Sequence, residues 1–446
     1  MKLVILWSDA LLFLLLALVV AGGWWSRRQA HLRGAWQTVG ANSMAMAAAT
    51  VLSAFLLVGV LDSLHYRLAL PSANNSSTAY ANEVLSVLDA VLMPLKDHAE
   101  KTYSAPLAAN LFAKESLDGE ARGFPRLVFG GAHLGNALDG LERDVATRVL
   151  LGLGIGVALW LPLWFYFGNR KERNGRLAVR AVLGTSLVLL LIAGPVAALA
   201  AGYHVFATDK VGQDVLYLTL KSIRTGLLIG TLTTLIMLPA AVLLGILAGY
   251  VGGWVDDLIQ YLYTVLNSIP GVLLIAAAVL MMQVIIDTHP DWFGTSADRA
   301  DARLLALCLI LGVTSWTGLA RLLRGETLKL REMDYVQAAR AFGVSRLSIM
   351  LRHVLPNLMH IVLIALVMDF SGLVLAEAVL SYVGIGVDPN TISFGTMINA
   401  ARMELARDPM VWWSLVAAFA FMFALVLSAN LFADAVRDAF DPRAIK

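Results

Sequence analysis

The chain has 446 residues, of which 59% are hydrophobic and only 15% charged, with a formal net charge of +2. Soluble domains carry about 25% charged residues, so this composition excludes a set of soluble domains and indicates an integral membrane protein. The basic residues form no stripe for nucleic acid, and one cysteine, Cys308, excludes a disulfide framework or a cysteine-rich metal site.

A helix needs about 20 mostly apolar residues to cross the roughly 30 Å hydrocarbon core. In chain order, such runs fall at about 3–25, 42–61, 148–167, 180–203, 222–248, 264–286, 303–322, 357–383 and 411–433. Helices rather than barrel strands are expected, because barrel strands alternate apolar and polar residues. The first run has Lys2 before it, as a signal peptide would, but its length and the Arg27 and Arg28 that follow favour a retained helix.

Orientation is read from Lys and Arg in the loops. Arg27, Arg28 and Arg33 follow span one; Arg170, Lys171, Arg173, Arg176 and Arg180 follow span three. Arg321, Arg324, Lys329, Arg331, Arg340, Arg346 and Arg352 follow span seven. Nine alternating spans put all three groups on one side, the expected cytoplasm. The N-terminus is then outside, and the C-terminus, with Arg437, Arg443 and Lys446, inside. The stretch Trp254–Tyr261, with Asp256 and Asp257 but no Lys or Arg, is the exception.

The long segment from Asp62 to Thr147 is broken by Pro71, Pro94, Pro106 and Pro125. Its stretch Ser72–Thr78 reads as a flexible linker. The sequons at Asn74 and Asn75 are short patterns that arise by chance. Val84, Leu85, Leu88, Val91 and Leu92 recur at helical spacing and predict a short amphipathic helix. The segment is expected to be a small extracytoplasmic domain or a cap lying on the other spans.

Motifs for chemistry are missing. There is no G-x-x-x-x-G-K-[ST], H-E-x-x-H or G-x-S-x-G, and the eight histidines are scattered. A chain without enzymatic activity, and without a metal or cofactor of its own, is expected.

The loop between spans seven and eight carries more. Asp334 is positioned to cap a helix over Tyr335–Phe342, which Gly343 would end. Ala338, Ala339 and Ala341 give that helix small side chains beside Tyr335, Gln337 and Phe342. Small residues admit a close backbone approach, and aromatic rings supply contact area. A second amphipathic turn (Leu347, Ile349, Met350) leads to Leu355-Pro356, where the chain re-enters the membrane.

The pattern Gln337-Ala-Ala-x3-Gly343, followed by Leu355-Pro356, resembles the EAA loop of ABC importer permeases, with Gln337 where the family consensus has Glu. Thr208-Asp209-x2-Gly212-x-Asp214-Val-Leu216 resembles the G-T-D-x2-G-R-D-V-L of the dipeptide/oligopeptide branch, with Ala207 and Gln213 replacing Gly and Arg. Ala248-Gly-Tyr-Val-Gly-Gly-Trp-Val-Asp256 with Ile269-Pro-Gly271, Leu380-Ser-Tyr-Val-Gly-Ile-Gly386, and the tail from Ala433 to Arg443 also match in order. Tyr261 and Thr264 depart from the Arg and Asp common in that branch. The resemblance covers about 203–446.

It implies an all-α membrane protein of the bacterial inner membrane: a six-helix type I ABC importer permease core, plus about three further N-terminal spans and an extracytoplasmic segment. The expected division is 1–61 (two spans), 62–147 (extracytoplasmic, partly helical), 148–179 (a span and a basic loop) and 180–446 (the permease domain, with its coupling loop at about 324–356). The implied partners are a homologous second permease, two cytoplasmic ATPases that use ATP and Mg, an extracytoplasmic binding protein and the bilayer. The implied cargo is a di- or oligopeptide; a nickel chelate or antimicrobial peptide is the alternative within this branch. The ATPase-coupling residues carried over are Tyr335, Gln337, Ala338, Ala339, Phe342, Gly343, Leu355 and Pro356. Asp369 and Glu377, acids inside span eight, are candidates for the translocation path, or else partners of neighbouring helices. Gly152 and Gly156 read as a helix-packing pair. Gly249–Gly253 and Gly384–Gly386 are candidate hinges. A secondary transporter or channel would call for internal repeats, and none is visible; an anchored scaffold is the remaining alternative.

Overall fold

A computed structural model describes residues 2–26, 28, 30–69, 80–116, 122–135, 140–168, 178–388 and 390–440. The expected linker Ser72–Thr78 with Pro71, Asn74 and Asn75, the basic residues Arg27, Arg170, Lys171, Arg173 and Arg176, and the tail from Asp441 through Arg443 to Lys446 lie outside the described residues.

Nine helices among the described residues are long and apolar enough to span a bilayer, one for each apolar run. They are α1 (Trp7–Ser26), α3 (Ser43–Ser63), α6 (Leu141–Gly168), α7 (Val179–Ala200), α8 (Val215–Val251), α10 (Gly271–Thr288), α11 (Ser296–Arg331), α14 (Leu355–Val383) and α16 (Trp413–Phe440). Between them lie α2 (Ala30–Ala41), α4 (Val87–Val91), α5 (Met93–Asp97), α9 (Gly253–Ser268), α12 (Asp334–Ala341), α13 (Arg346–Ile349) and α15 (Phe394–Arg402). The run at 264–286 is not one helix. Ile269, which precedes Pro270, is extended (φ −93°, ψ 131°), as a residue before proline tends to be, so the chain breaks there between α9 and α10.

α8 is the central element. It packs on α11, α14, α3, α9, α16 and α1. Around its first half, Ile223 and Leu227 pack with Phe394, Trp413 and Leu425; around its second half, Met237 and Ala241 pack with Trp316, Leu323 and Leu358. Packing cuts across the sequence boundary at 179/180. α7, grouped with the core in sequence, lies against α6 and α3, whereas α1 lies against α8 and α11. Gly152 and Gly156 meet the α7 backbone near Gly194, Pro195 and Leu190, so the pair does serve helix packing.

The 80–135 segment covers the ends of the spans as a cap. Among the described residues there, helix is confined to α4 and α5, five residues each, with a 3-10 turn at Ala132–Leu134. Leu85 and Ser86 form a strand (β3) instead of the start of the expected helix, because Ser86 caps α4 by accepting the Asp89 N–H at 3.0 Å. β3 pairs with β2 (His65–Arg67), which pairs with β1 (Lys2–Val4); β4 (Glu115–Ser116) and β5 (Arg122–Gly123) form a separate hairpin.

Buried ion pairs tie these pieces to α8. Lys221 Nζ lies 2.8 Å from Asp62 of α3 and 3.0 Å from Asp89 of α4. Arg224 lies 2.6 Å from Asp9 of α1, whose other oxygen is 2.7 Å from His65 of β2. The Ser8 N–H donates to Asp301 of α11 at 3.1 Å.

A second cluster fixes the turn that starts α8. Asp214 accepts the N–H groups of Leu216 and Tyr217 at 2.8 and 3.3 Å and holds His204 Nδ1 at 2.7 Å with its other oxygen. Glu100 accepts the N–H groups of Val128, Phe129 and Gly130 at 2.8, 2.8 and 3.0 Å, and His204 Nε2 stands 3.5 Å away. Asp209 accepts from Val211 and Gln213, and Gly212 (φ +81°) sits so close to Glu100 that a Cβ would strike its carbonyl. The T-D-x2-G-x-D spacing is thus a cap-to-helix joint. Ala207, standing where the resembling motif has Gly, adopts φ +67°.

Burial disfavours the Glu100 charge, but His204 and the three backbone donors outweigh it and hold the carboxyl at about 2. Burial also disfavours charge on His204, but Asp214 and Glu100 push it up to about 9. The histidine contribution to stability is therefore complete below its ordinary 6.5 and lost as pH rises through about 9. The Glu100 contribution is present above 4.5 and lost as pH falls through about 2. Thermal melts of the purified chain should plateau between these limits and fall by several degrees toward pH 9. His204→Gln should lower the plateau and flatten that alkaline fall; an unchanged alkaline limb in the variant would contradict the assignment.

Candidate functional site

At the end of the spans opposite the cap, the loop 332–354 is built on the roots of α8, α9 and α11. Gly252 and Gly253, both at positive φ, turn the chain from α8 into α9. Asp256 of α9 then receives Arg324 of α11 through two parallel bonds of 2.5 and 2.7 Å. That forked pair fixes both geometry and charge: the Arg324 hydrogen bonds hold the Asp256 carboxyl below its usual range against partial burial.

α11 ends at Arg331, and α12 follows at once. Its N-cap is Met333, not Asp334; Asp334 lies in the first turn, where its charge complements the helix dipole without a side-chain cap. The C-terminus follows the sequence expectation. Gly343 (φ +76°) donates to the Arg340 carbonyl at 3.0 Å, and Val344 to the Ala339 carbonyl at 3.1 Å. This is a Schellman closure, which needs a left-handed residue at that position.

Val336, which sequence reasoning did not single out, anchors the loop. It is 1% exposed and packs with Tyr250, Ile349 and Val354. The available signal was its place in a short helix of otherwise small and polar residues. Tyr335 accepts the Asn357 side-chain N–H at 3.1 Å, and Gln337 donates to the Glu332 carbonyl at 3.2 Å. Gln337 thus points back along its own loop. Ala338 is exposed, Ala339 half-buried, Phe342 88% exposed and Leu347 62% exposed. Leu355 and Pro356 open α14 after a turn of π-helix over Met350–Val354. Tyr335, Gln337, Ala338 and Ala339 therefore lie on one projecting helix, anchored on one face and open on the other, which Phe342 and Gly343 close, while Leu355 and Pro356 belong to α14.

Asp369 and Glu377 have different surroundings. Glu377 is 1% exposed and accepts the hydroxyls of Ser381 and Ser393 at 2.7 and 2.9 Å. Ser393 caps α15, so Glu377 pins α15 onto α14. Asp369 is half-buried and lacks a hydrogen-bond or ion-pair partner among the described residues. No group of three potential metal ligands occurs among the described residues.

Over residues 241–446 the chain matches the family described as binding-protein-dependent transport system inner membrane component. It is 31% identical over 239 residues, 54% of this chain and 76% of the relative, to the oligopeptide transport system permease protein OppC of Mycobacterium tuberculosis. The dipeptide transport system permease protein DppC of Lactococcus lactis is 31% identical over 241 residues, covering 54% of this chain and 64% of the relative. The glutathione transport system permease protein GsiD of Pectobacterium atrosepticum is 30% identical over 240 residues, 54% and 73% of the two chains.

Gly343→Val forces a branched side chain into the left-handed region at a cost of roughly 1–2 kcal/mol. Amide exchange over residues 338–344 should then quicken by about 5- to 30-fold while α8 is unchanged; unaltered exchange would exclude this closure.

Proposed function

The chain belongs to the binding-protein-dependent transport system inner membrane components, and on that premise we propose that it moves peptides through half of a pathway shared with a second, homologous permease. Membership of this permease family makes it a multi-pass membrane protein. The reading of cargo rests on the relatives, whose names give oligopeptides, dipeptides and glutathione, all peptides. In this reading the chain itself catalyses nothing. ATP and Mg are used by two ATPase subunits on the side of the 332–354 loop, which is the cytoplasm. A binding protein delivers cargo on the cap side, and the N-terminus lies there too.

The observation that carries the coupling role is α12. Tyr335, Gln337, Ala338 and Ala339 lie on this projecting helix, Phe342 and Gly343 close it, its other side is anchored through Val336, and α13 and the π-helical turn carry the chain on to Leu355-Pro356 at the start of α14. In this reading a load on the open face passes into α11 at one end and, through α13 and the π-helical turn, into α14 at the other. Transport then needs two packings of the half-permeases whose balance is biased by both ATPase closure and cargo.

Asp369 is the path residue in this reading. A charge in mid-membrane costs at least about 2.5–3.5 kcal/mol, and with no partner among the described residues it faces water, cargo or the second permease in this reading. Glu377 serves the path indirectly, by fixing α15 beside it.

Ala338→Glu with Ala339→Glu should abolish co-purification of the ATPases and peptide uptake while leaving membrane insertion intact. Retention of both would end the coupling assignment. Asp369→Asn should reduce uptake at least several-fold with ATPase association unchanged, and wild-type uptake would remove Asp369 from the path. Cargo class is tested on the cognate binding protein: tight binding of di- or oligopeptides is expected, and binding of a nickel chelate instead would replace the peptide reading.

A further inference from the structure

Asp369 lies midway along α14, between Leu355 at one end and Val383 at the other. Neither a hydrogen bond nor an ion pair reaches it among the described residues. The helices that pack on α14 bring no cation to the middle of the core. α8 has no charged residue beyond Arg224, α11 none from Leu304 to Ala320, and α16 none before Asp434. The cations nearer the helix ends are committed elsewhere. Lys221 is held by Asp62 and Asp89, Arg224 by Asp9, Arg303 by Asp287 and Asp388, and Arg324 by Asp256. Arg402 of α15 donates to the Tyr382 carbonyl at 3.0 Å. Asp369 is therefore a free negative charge.

It borders an open face of α14. Met368, Gly372, Leu375, Val379 and Tyr382 are exposed, and their spacing of three and four residues places them on one stripe. A Cβ built on Gly372 would meet nothing within 4 Å, so there is room one turn from the carboxyl on its cap side. The stripe runs from the cap end of α14 to the acid and carries no basic side chain. A molecule entering along it meets apolar surface and then one carboxylate.

We propose, resting on the assignment of Asp369 to the path, that this carboxylate binds the protonated amino terminus of the passing peptide. An ammonium group supplies one positive charge and three N–H donors, and its hydrogen bonds to a carboxylate are of the strong, charge-assisted kind. Every unblocked peptide carries this group whatever its side chains, so one acid serves cargo of varied sequence. The carboxyl end of the peptide finds no cation on the stripe. The permease therefore reads the amine of its cargo and ignores the carboxylate, an asymmetry that a merely polar path would lack.

The test is uptake into proteoliposomes by the complete transporter: the chain with its second permease, ATPase subunits and binding protein. The probes are trialanine, trialanine amide and N-acetyl-trialanine, each at a concentration that saturates the binding protein. Wild type should move the first two at similar rates and the acetylated peptide at least fivefold more slowly. Asp369→Asn should bring all three to the slow rate, whereas Asp369→Glu should keep the preference. Equal rates for trialanine and its acetylated form in wild type, or a preference that persists unchanged in Asp369→Asn, would overturn the amine assignment. A fall by one common factor for all three peptides would also overturn it, while keeping Asp369 in the path. Wild-type rates for all three in Asp369→Asn would remove Asp369 from the path itself. Loss of the second permease from the purified variant would give the counter-charge to that subunit and overturn the proposal too.

Discussion

Two cations on α8, Lys221 and Arg224, govern how the N-terminal third of the chain is arranged. Both sit in the outer turns of a helix that crosses the membrane, where an unpaired charge costs several kcal/mol. Asp62, Asp89 and Asp9 neutralise them from α3, α4 and α1, three elements separate in sequence. Leaving one of the acids without its cation would strand a buried charge, at about 3–5 kcal/mol. The pairs therefore act as fixed pins, and β1, β2 and β3 assemble across them. The clamp of Glu100, His204 and Asp214 adds a third pin where the cap meets the start of α8. α1 and α3 are thus tied to α8, whereas α6 is held through its packing on α7.

The opposite end of α8 follows another plan. There the forked Arg324–Asp256 pair and the buried Val336 hold α12 by one side only, and Phe342 and Leu347 stay open. One end of the molecule is closed by intrachain charges; the other presents an anchored, uncovered helix. A rigid cap with a projecting loop suits a machine in which force enters at one end and the opposite end serves as the reference frame.

Much of this was legible in the sequence because lipid imposes simple rules. All nine spans were readable from apolar runs, and the branch motifs between 203 and 446 matched the family that the relatives define. Gly343 ended α12 as its residue type requires. Local signals failed where distant partners decide. Asp334 looked like a helix cap, but Met333 takes that place because the chain turns directly out of α11. Ile269 and Pro270 broke an apolar run that composition alone left whole. The cap was opaque because its fold depends on ion pairs and hydrogen bonds between residues more than 100 positions apart, such as Lys221 with Asp89 and Ser104 with Thr208. Asp369 and Glu377 were both read as acids in one apolar helix, with Glu377 nearer its outer end and more inclined to a structural hydrogen bond; the partners themselves, Ser381 and Ser393, come only with the fold.

The most direct measurement is hydrogen exchange across the whole chain, alone and assembled with its ATPase subunits. Protection gained over residues 334–344 on assembly, with the joint at 204–214 equally protected in both states, is the expected result. Unchanged exchange at 334–344, or a joint that opens on assembly, would contradict a fixed cap coupled to a docking loop.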